Sequence, residues 1–283
     1  MNRWLAVPCA AAVVMSGCGW QQAKFKATHA AEVAHVAGTA ISVTGANGAV
    51  TVERDEARTD VRIVAEVRGV TQERADAVTI LAERGGDGTL TVTSVWPDRR
   101  RGNESCSFVI HAPSVTDVRI VTSNGAITLG EANGNAWLET SNGRITAKQV
   151  AGRVDAKSSN GAIVLEGVRG DIAARTSNGS ITIEEAMGVV SARTSNGAIS
   201  IQLAEANAGP VTAKSSNGAI TLAYGQAFTG ALSLDTSNGR VSVTGLPESV
   251  TLPKKLDGAT LAIGDGGASK LETSNGSITV RRR

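Results

Sequence analysis

Aromatic residues are scarce: three Phe, four Trp and one Tyr among 283 residues, 3% of the chain. Such a composition suits a narrow aliphatic interior, and it leaves Trp137 as the main residue of the later chain on which a sugar could stack. Histidine is confined to His29, His35 and His111, and the acids are scattered. The clustered acids, bases or metal ligands that a catalytic groove requires are therefore not evident, and no metal, cofactor or enzymatic activity is expected. Charge is nearly balanced, with 28 Lys and Arg against 26 Asp and Glu, a formal net of +2. That excludes a bulk electrostatic case for nucleic acid, so partners must be sought in local patterns.

Long apolar runs are absent apart from residues 5–15, too short to span a bilayer. With Arg3 before it and small residues after it, this run reads as an export signal over residues 1–17. Met15-Ser16-Gly17-Cys18 resembles the bacterial lipobox, which implies cleavage before Cys18 and its acylation. Gly19, where Asp would resemble an inner-membrane retention signal, points to an outer membrane in a cell that has one. Cys9 leaves with the leader and Cys18 carries lipid, so Cys106 stands alone without a disulfide partner, as a buried small hydrophobe. The expected address is the cell envelope, with the lipid holding the protein to the membrane.

What the chain has in abundance is repetition. Ser-Asn-Gly preceded by Thr or Ser occurs with its Asn at Asn124, Asn142, Asn160, Asn178, Asn196, Asn217 and Asn238, and again at Asn275. The first four intervals are 18 residues and the next two are 21. Self-similarity at a short fixed period marks a solenoid. Three and five residues after each Asn stand aliphatic side chains, such as Ile145 and Ala147 or Ile163 and Leu165, one face of a strand. Four before it lies another, such as Leu138 or Ala156, so a second strand precedes each turn. The Asn-Gly pair is expected to supply positive φ at the reversal. Eight residues before most of the Asn a Gly marks a second corner, and the longer intervals add their residues between the second strand and that Gly.

The spacing predicts an all-β, parallel β-solenoid (β-helix or β-roll) over residues 116–283, preceded by a tether over residues 18–38 and an irregular N-terminal β region and cap over residues 39–115. Within that region Gly45-Ala46-Asn47-Gly48 is a relaxed copy of the unit, and residues 71–82 carry the composition of a short helix. Asp257-Gly258 reads as a degenerate copy whose strand holds Leu261 and Ile263. The terminal Arg281-Arg282-Arg283 reads as charge guarding an open edge.

An Asn-Gly-x-Val-x-Val strand, a strand ending at Pro113, the Thr-Ser-Asn-Gly-x-Ile units, Leu246-Pro247 and the closing Thr-Ser-Asn-Gly-Ser-Ile-Thr-Val together resemble the bacterial putative-adhesin family of β-strand-repeat domains of unknown function. The resemblance covers residues 39–280 and implies a parallel β-solenoid of the envelope, with no catalytic residues to carry over.

Two outward files hold the candidate function. Stacked amides of Asn124, Asn142, Asn160, Asn178, Asn196, Asn217, Asn238 and Asn275 are expected to bond one another as a structural ladder. Three residues before four successive Asn stand Lys157, Arg175, Arg193 and Lys214, a candidate strip for polyanionic glycan. The resulting expectation is a non-catalytic, lipid-anchored scaffold or adhesin that binds envelope or extracellular polymer. An envelope-stress or regulatory accessory with a protein partner, and a polysaccharide-acting β-helix enzyme, are the alternatives.

Overall fold

A computed structural model describes residues 23–246, 250, 253 and 256–283. The leader, Cys18 and Pro247 lie outside these residues.

The Asn142 rung shows how the sequence becomes architecture. Ala136–Glu139 leads to the corner Thr140-Ser141-Asn142-Gly143, and Ile145–Lys148 runs away from it. Alternation buries Ala136, Leu138, Ile145 and Ala147 while Trp137 and Lys148 face out. The following rung pairs in parallel, residue for residue, with Leu138 beside Ala156 and Ile145 beside Ile163. A lone rung cannot bury its aliphatic side chains, so stability arises from each rung covering the next. Repetition yields two twelve-stranded sheets that enclose one continuous aliphatic core.

In spatial order the first sheet runs Phe25–Ala34, Asp60–Gly69, Ser105–Ala112, Val50–Arg54, Ile127–Leu129, Ile145–Lys148, Ile163–Glu166, Ile181–Ala186, Ile199–Leu203, Ile220–Tyr224, Ile278–Arg282 and Val241–Thr244. The second runs Thr79–Arg84, Leu90–Val95, Ile41–Thr44, Val118–Val121, Ala136–Glu139, Val154–Lys157, Ile172–Arg175, Val190–Arg193, Val211–Ser215, Ser269–Thr273, Ala231–Thr236 and Ala259–Ala262. From Asn124 to Asn217 the order in space is the order in sequence.

At both ends it is not. The Asn47 rung lies between the pair Leu90–Val95 with Ser105–Ala112 and the Asn124 rung. At the opposite end the Asn275 rung slots between those of Asn217 and Asn238. Ile278–Arg282 is thus an inner strand, paired on both sides, which removes the edge that Arg281 to Arg283 were expected to guard. Arg283 instead pairs with Glu185 at 2.7 Å and Glu205 at 3.3 Å.

Three more expectations are corrected. Asp257-Gly258 does not open a parallel rung: Gly258, at φ 71°, turns the chain into Ala259–Ala262, which returns antiparallel to Ala231–Thr236. The stretch assigned to a tether contains the ten-residue strand Phe25–Ala34, antiparallel to Asp60–Gly69. Within residues 71–82 only Gln72–Asp76 is helical, with Thr71 as its N-cap, while Thr79–Arg84 is a strand. Buried Ala75 and Val78 close the core at this end, where antiparallel hairpins replace parallel rungs.

The corners also turn differently from the expectation. No Asn or Gly of the Ser-Asn-Gly corners among the described residues has positive φ. Glycine is required because the rungs sit so close: a Cβ on Gly143 or Gly161 would overlap the backbone carbonyl of the preceding corner Gly. Positive φ occurs on the other side of the rung, at Gln149 (52°), Gly167 (66°) and Glu185 (53°).

Candidate functional site

The corners form the most regular polar file of the molecule. Asn124 Nδ2 donates to Asn47 Oδ1, and the file continues through Asn142, Asn160, Asn178, Asn196, Asn217, Asn275 and Asn238, each Nδ2 donating to the preceding Oδ1 at 2.5 to 2.9 Å. Asn47 enters as a full member, and Asn275 precedes Asn238 because their rungs are interleaved. At the N-terminal end Asn47 Nδ2 donates to the carbonyls of Gly102 (2.8 Å) and Glu104 (3.3 Å), so the loop of residues 97–104 closes the file.

Beneath the amides runs a second file that sequence reasoning passed over. Two residues before each corner Asn from Asn124 onward, a buried Thr or Ser hydroxyl donates to the Gly carbonyl of the neighbouring rung: Thr140 to Gly125 at 3.0 Å, Thr176 to Gly161 at 3.0 Å, Thr273 to Gly218 at 2.9 Å. The same oxygen accepts from its own corner, as Ser158 Oγ does from Gly161 N at 2.9 Å. One buried hydroxyl thereby satisfies a donor and an acceptor that the turn would otherwise strand. The signal was the invariable hydroxyl residue at this position of each copy.

On the outward face of the second sheet, Lys157, Arg175, Arg193 and Lys214 are directly paired in register on adjacent parallel strands. Acids flank the file: Glu139 lies before Lys157, and Glu272 after Lys214. Lys157 pairs with Glu139 at 2.9 Å, Lys214 pairs with Glu272, and Arg175 lies 3.7 Å from Asp155. The bond from Lys157 holds the Glu139 carboxyl below its ordinary range, and Lys214, then Lys270, do the same for Glu272. Arg193 has no ion-pair partner among the described residues. The cationic file is consequently most open at its centre.

One file inward from that column, towards the second corner, stand Ser42, Arg119, Trp137, Asp155 and Ala173 on successive strands. The Arg119 guanidinium lies 5.1 Å from the centroid of the Trp137 ring. Arg119 was not singled out from the sequence, although its 18-residue offset from Trp137 is the repeat itself.

The N-terminal cap holds the most strongly perturbed carboxyl. Glu104 is fully buried and accepts from Arg74 Nε (2.7 Å) and Nη2 (2.9 Å) and from the backbone N–H of Arg101 (2.8 Å). The Arg74 bonds come first in drawing its pKa down to about 2. Arg74 also pairs with Asp98, joining the helix to the Arg-rich loop. Cys106 is buried beside this loop, and desolvation pushes its thiol up to about 12. His29 is 3.1 Å from the Ala75 carbonyl, His35 3.0 Å from Ser114 Oγ, and His111 3.8 Å from Glu53. Among the described residues no three His, Cys, Asp or Glu converge to hold a metal, and no helix is long and apolar enough to cross a membrane.

This architecture is shared with a solved bacterial protein. A structure from Bacteroides fragilis described as a "putative adhesin" shares 14% identity and a TM-score of 0.51, over 94% of this chain and 100% of that one. A "putative adhesin" from Parabacteroides distasonis shares 12% identity with a TM-score of 0.42, over 93% and 99% of the two chains. A "putative lipid binding protein" from the same species shares 14% with a TM-score of 0.40, over 92% and 97%. No curated protein matches the chain. The profile of Toastrack DUF4097 matches residues 33–281, from the first strand through the interleaved last rung, and the chain belongs to that family.

Proposed function

We propose that this protein is a non-catalytic, lipid-anchored solenoid of the cell envelope whose second sheet presents a cationic surface to an envelope or extracellular polyanionic glycan. The observation that carries this reading is the in-register file Lys157, Arg175, Arg193 and Lys214. Like charges stacked one strand apart, about 4.8 Å, repel one another, and a polyanion lying along the rod relieves that repulsion. The description of the Bacteroides fragilis structure accords with an adhesive surface.

Cys18 is the proposed lipid attachment site, and it would hold the N-terminal end of the stack at the membrane, in an outer membrane where the cell has one. Labelling producing cells with an alkyne fatty acid tests this. Wild type should take up label and fractionate with membranes, and Cys18→Ser should do neither. Labelling of Cys18→Ser equal to wild type would remove the anchor. For the surface, Lys157, Arg175, Arg193 and Lys214 replaced together by Ser should lose most of the salt-sensitive cosedimentation with lipopolysaccharide that wild type shows. Unchanged cosedimentation would defeat the cationic-surface reading.

A further inference from the structure

We propose that the groove around Trp137 and Arg119 is a subsite for one pyranose ring of a uronate-bearing polysaccharide. The indole stacks on the C–H face of the sugar, and Arg119 with Arg153 meets its carboxylate. The inference deepens the polymer-binding reading and rests on it for the class of ligand, but it stands on different residues.

Trp137 is 42% exposed, the one aromatic among the large exposed apolar side chains of the described residues. An apolar ring of this size left in water on a sheet otherwise faced by charged and small residues marks a contact surface. It stands in a groove of about 580 Å³, within the range of small-ligand sites. Asp117, Asn135, Arg153 and Asp155 line it with polar groups beside the Trp137 ring. An apolar platform ringed by planar hydrogen-bonding groups matches a pyranose, whose ring face carries C–H bonds and whose perimeter carries hydroxyls.

The rim is also held in place before any ligand arrives. Asp117 Oδ1 accepts from Asn135 N at 2.6 Å, and Asn135 Oδ1 accepts from Arg153 N at 2.9 Å. Each side chain is thereby fixed by the next rung, leaving Asp117 Oδ2 and Asn135 Nδ2 for sugar hydroxyls. The Arg119 guanidinium, 5.1 Å from the centroid of the indole, makes a cation–π contact with it.

The Arg119 guanidinium favours an acidic sugar. Asp155 is shared between Arg153 at 3.8 Å and Arg175 at 3.7 Å, both loose contacts, while Arg119 has no ion-pair partner among the described residues. Two guanidinium groups and two carboxylates line the groove, and Arg119 is the guanidinium without a close ion pair. A planar guanidinium receives a carboxylate through paired N–H donors. Beyond Asp155 the small, buried Ala173 follows on the next strand, and Arg175 and Arg193 stand on the same sheet further along the stack.

The test is calorimetric titration of the full chain with polygalacturonate, and with dextran as the neutral control, alongside thermal melts. Wild type should bind polygalacturonate and not dextran. Trp137→Ala should weaken that binding about tenfold or more, as loss of a central aromatic anchor does. Trp137→Phe should retain most of it, Arg119→Ala should weaken it, and melting should hardly change in any of the three. Wild-type affinity in Trp137→Ala, or equal binding of dextran, would overturn the subsite. Binding lost in the quadruple Ser variant but kept in Trp137→Ala would overturn it while sparing the cationic file. The reverse pattern would support the subsite and show that the file takes no part in binding this polymer, and a wild type that binds neither polymer would overturn the subsite, the file being decided by its lipopolysaccharide test.

Discussion

The middle of the stack and its two ends are built from the same unit but assembled by different rules. Between Asn124 and Asn217 each rung rests on its sequence neighbour, so local chain connectivity and spatial pairing coincide. At the ends a rung from elsewhere is interposed, and antiparallel strands close both sheets at the N-terminal end and the second sheet at the other. Pairing therefore depends on what a rung presents above and below and not on its place in the chain.

Deleting residues 269–283 should break this contrast most severely. In a sequential stack it would trim an outer rung. Here it withdraws the layer that joins the Asn217 and Asn238 rungs, so melting should fall by more than about 10 °C and protease should cut between Ala231 and Val243. Survival of that segment would show that the Asn238 rung can sit directly on the Asn217 rung.

Gly161→Ala, in the middle, drives a Cβ into the Gly143 carbonyl and should cost roughly 4 kcal/mol in denaturant melts. Gly258→Ala, at the C-terminal hairpin, meets no atom within 4 Å and is penalised only by its φ of 71°, for roughly 1 kcal/mol. Equal losses would contradict close approach as the reason for corner glycine.

At the N-terminal cap, Glu104→Gln leaves Arg74 without its buried carboxylate and should cost on the order of 3 kcal/mol. Because the folded pKa of Glu104 is about 2, below the ordinary carboxylate value, its contribution is complete above roughly pH 4.3 and is lost as the pH falls towards 2. The stability difference between wild type and Glu104→Gln should accordingly narrow between melts at pH 7 and in that acid window. A constant difference would dissociate stability from this ion pair.

Asn275→Ala should have the smallest effect, about 1 kcal/mol for two exposed amide bonds. Its location is the informative readout: hydrogen exchange should quicken at both the Asn217 and the Asn238 corners, which are bonded to Asn275 and far from it in sequence.

The alternation of Ile145 with Ala147 and the recurrence of Asn-Gly made the strands, the corners and the buried files readable from the sequence. What could not be read was which rung lies on which. Ile220 meets Ile278 in the fold, yet Val241 offers a similar side chain at the same place in its rung, and the unit alone does not separate them. The reason for corner glycine was likewise hidden, since contact between Gly143 and Gly125 exists only after stacking. Of the candidate sites, the cationic file followed directly from its fixed place three residues before the repeated Asn. The Trp137 groove did not, because Asp117, Asn135 and Arg153 converge only where the second corner folds back.

The buried hydroxyl two residues before each Asn from Asn124 onward acts as a common coupling: it plugs into whichever corner glycine lies beside it, Gly125 for Thr140, Gly218 for Thr273, Gly276 for Thr236. Modules joined by identical fittings can be added, removed or shuffled without redesigning their neighbours. Excising one whole 18-residue unit, from Ser159 through Thr176, should shorten the rod by a single layer of about 4.8 Å and leave both closures as they were.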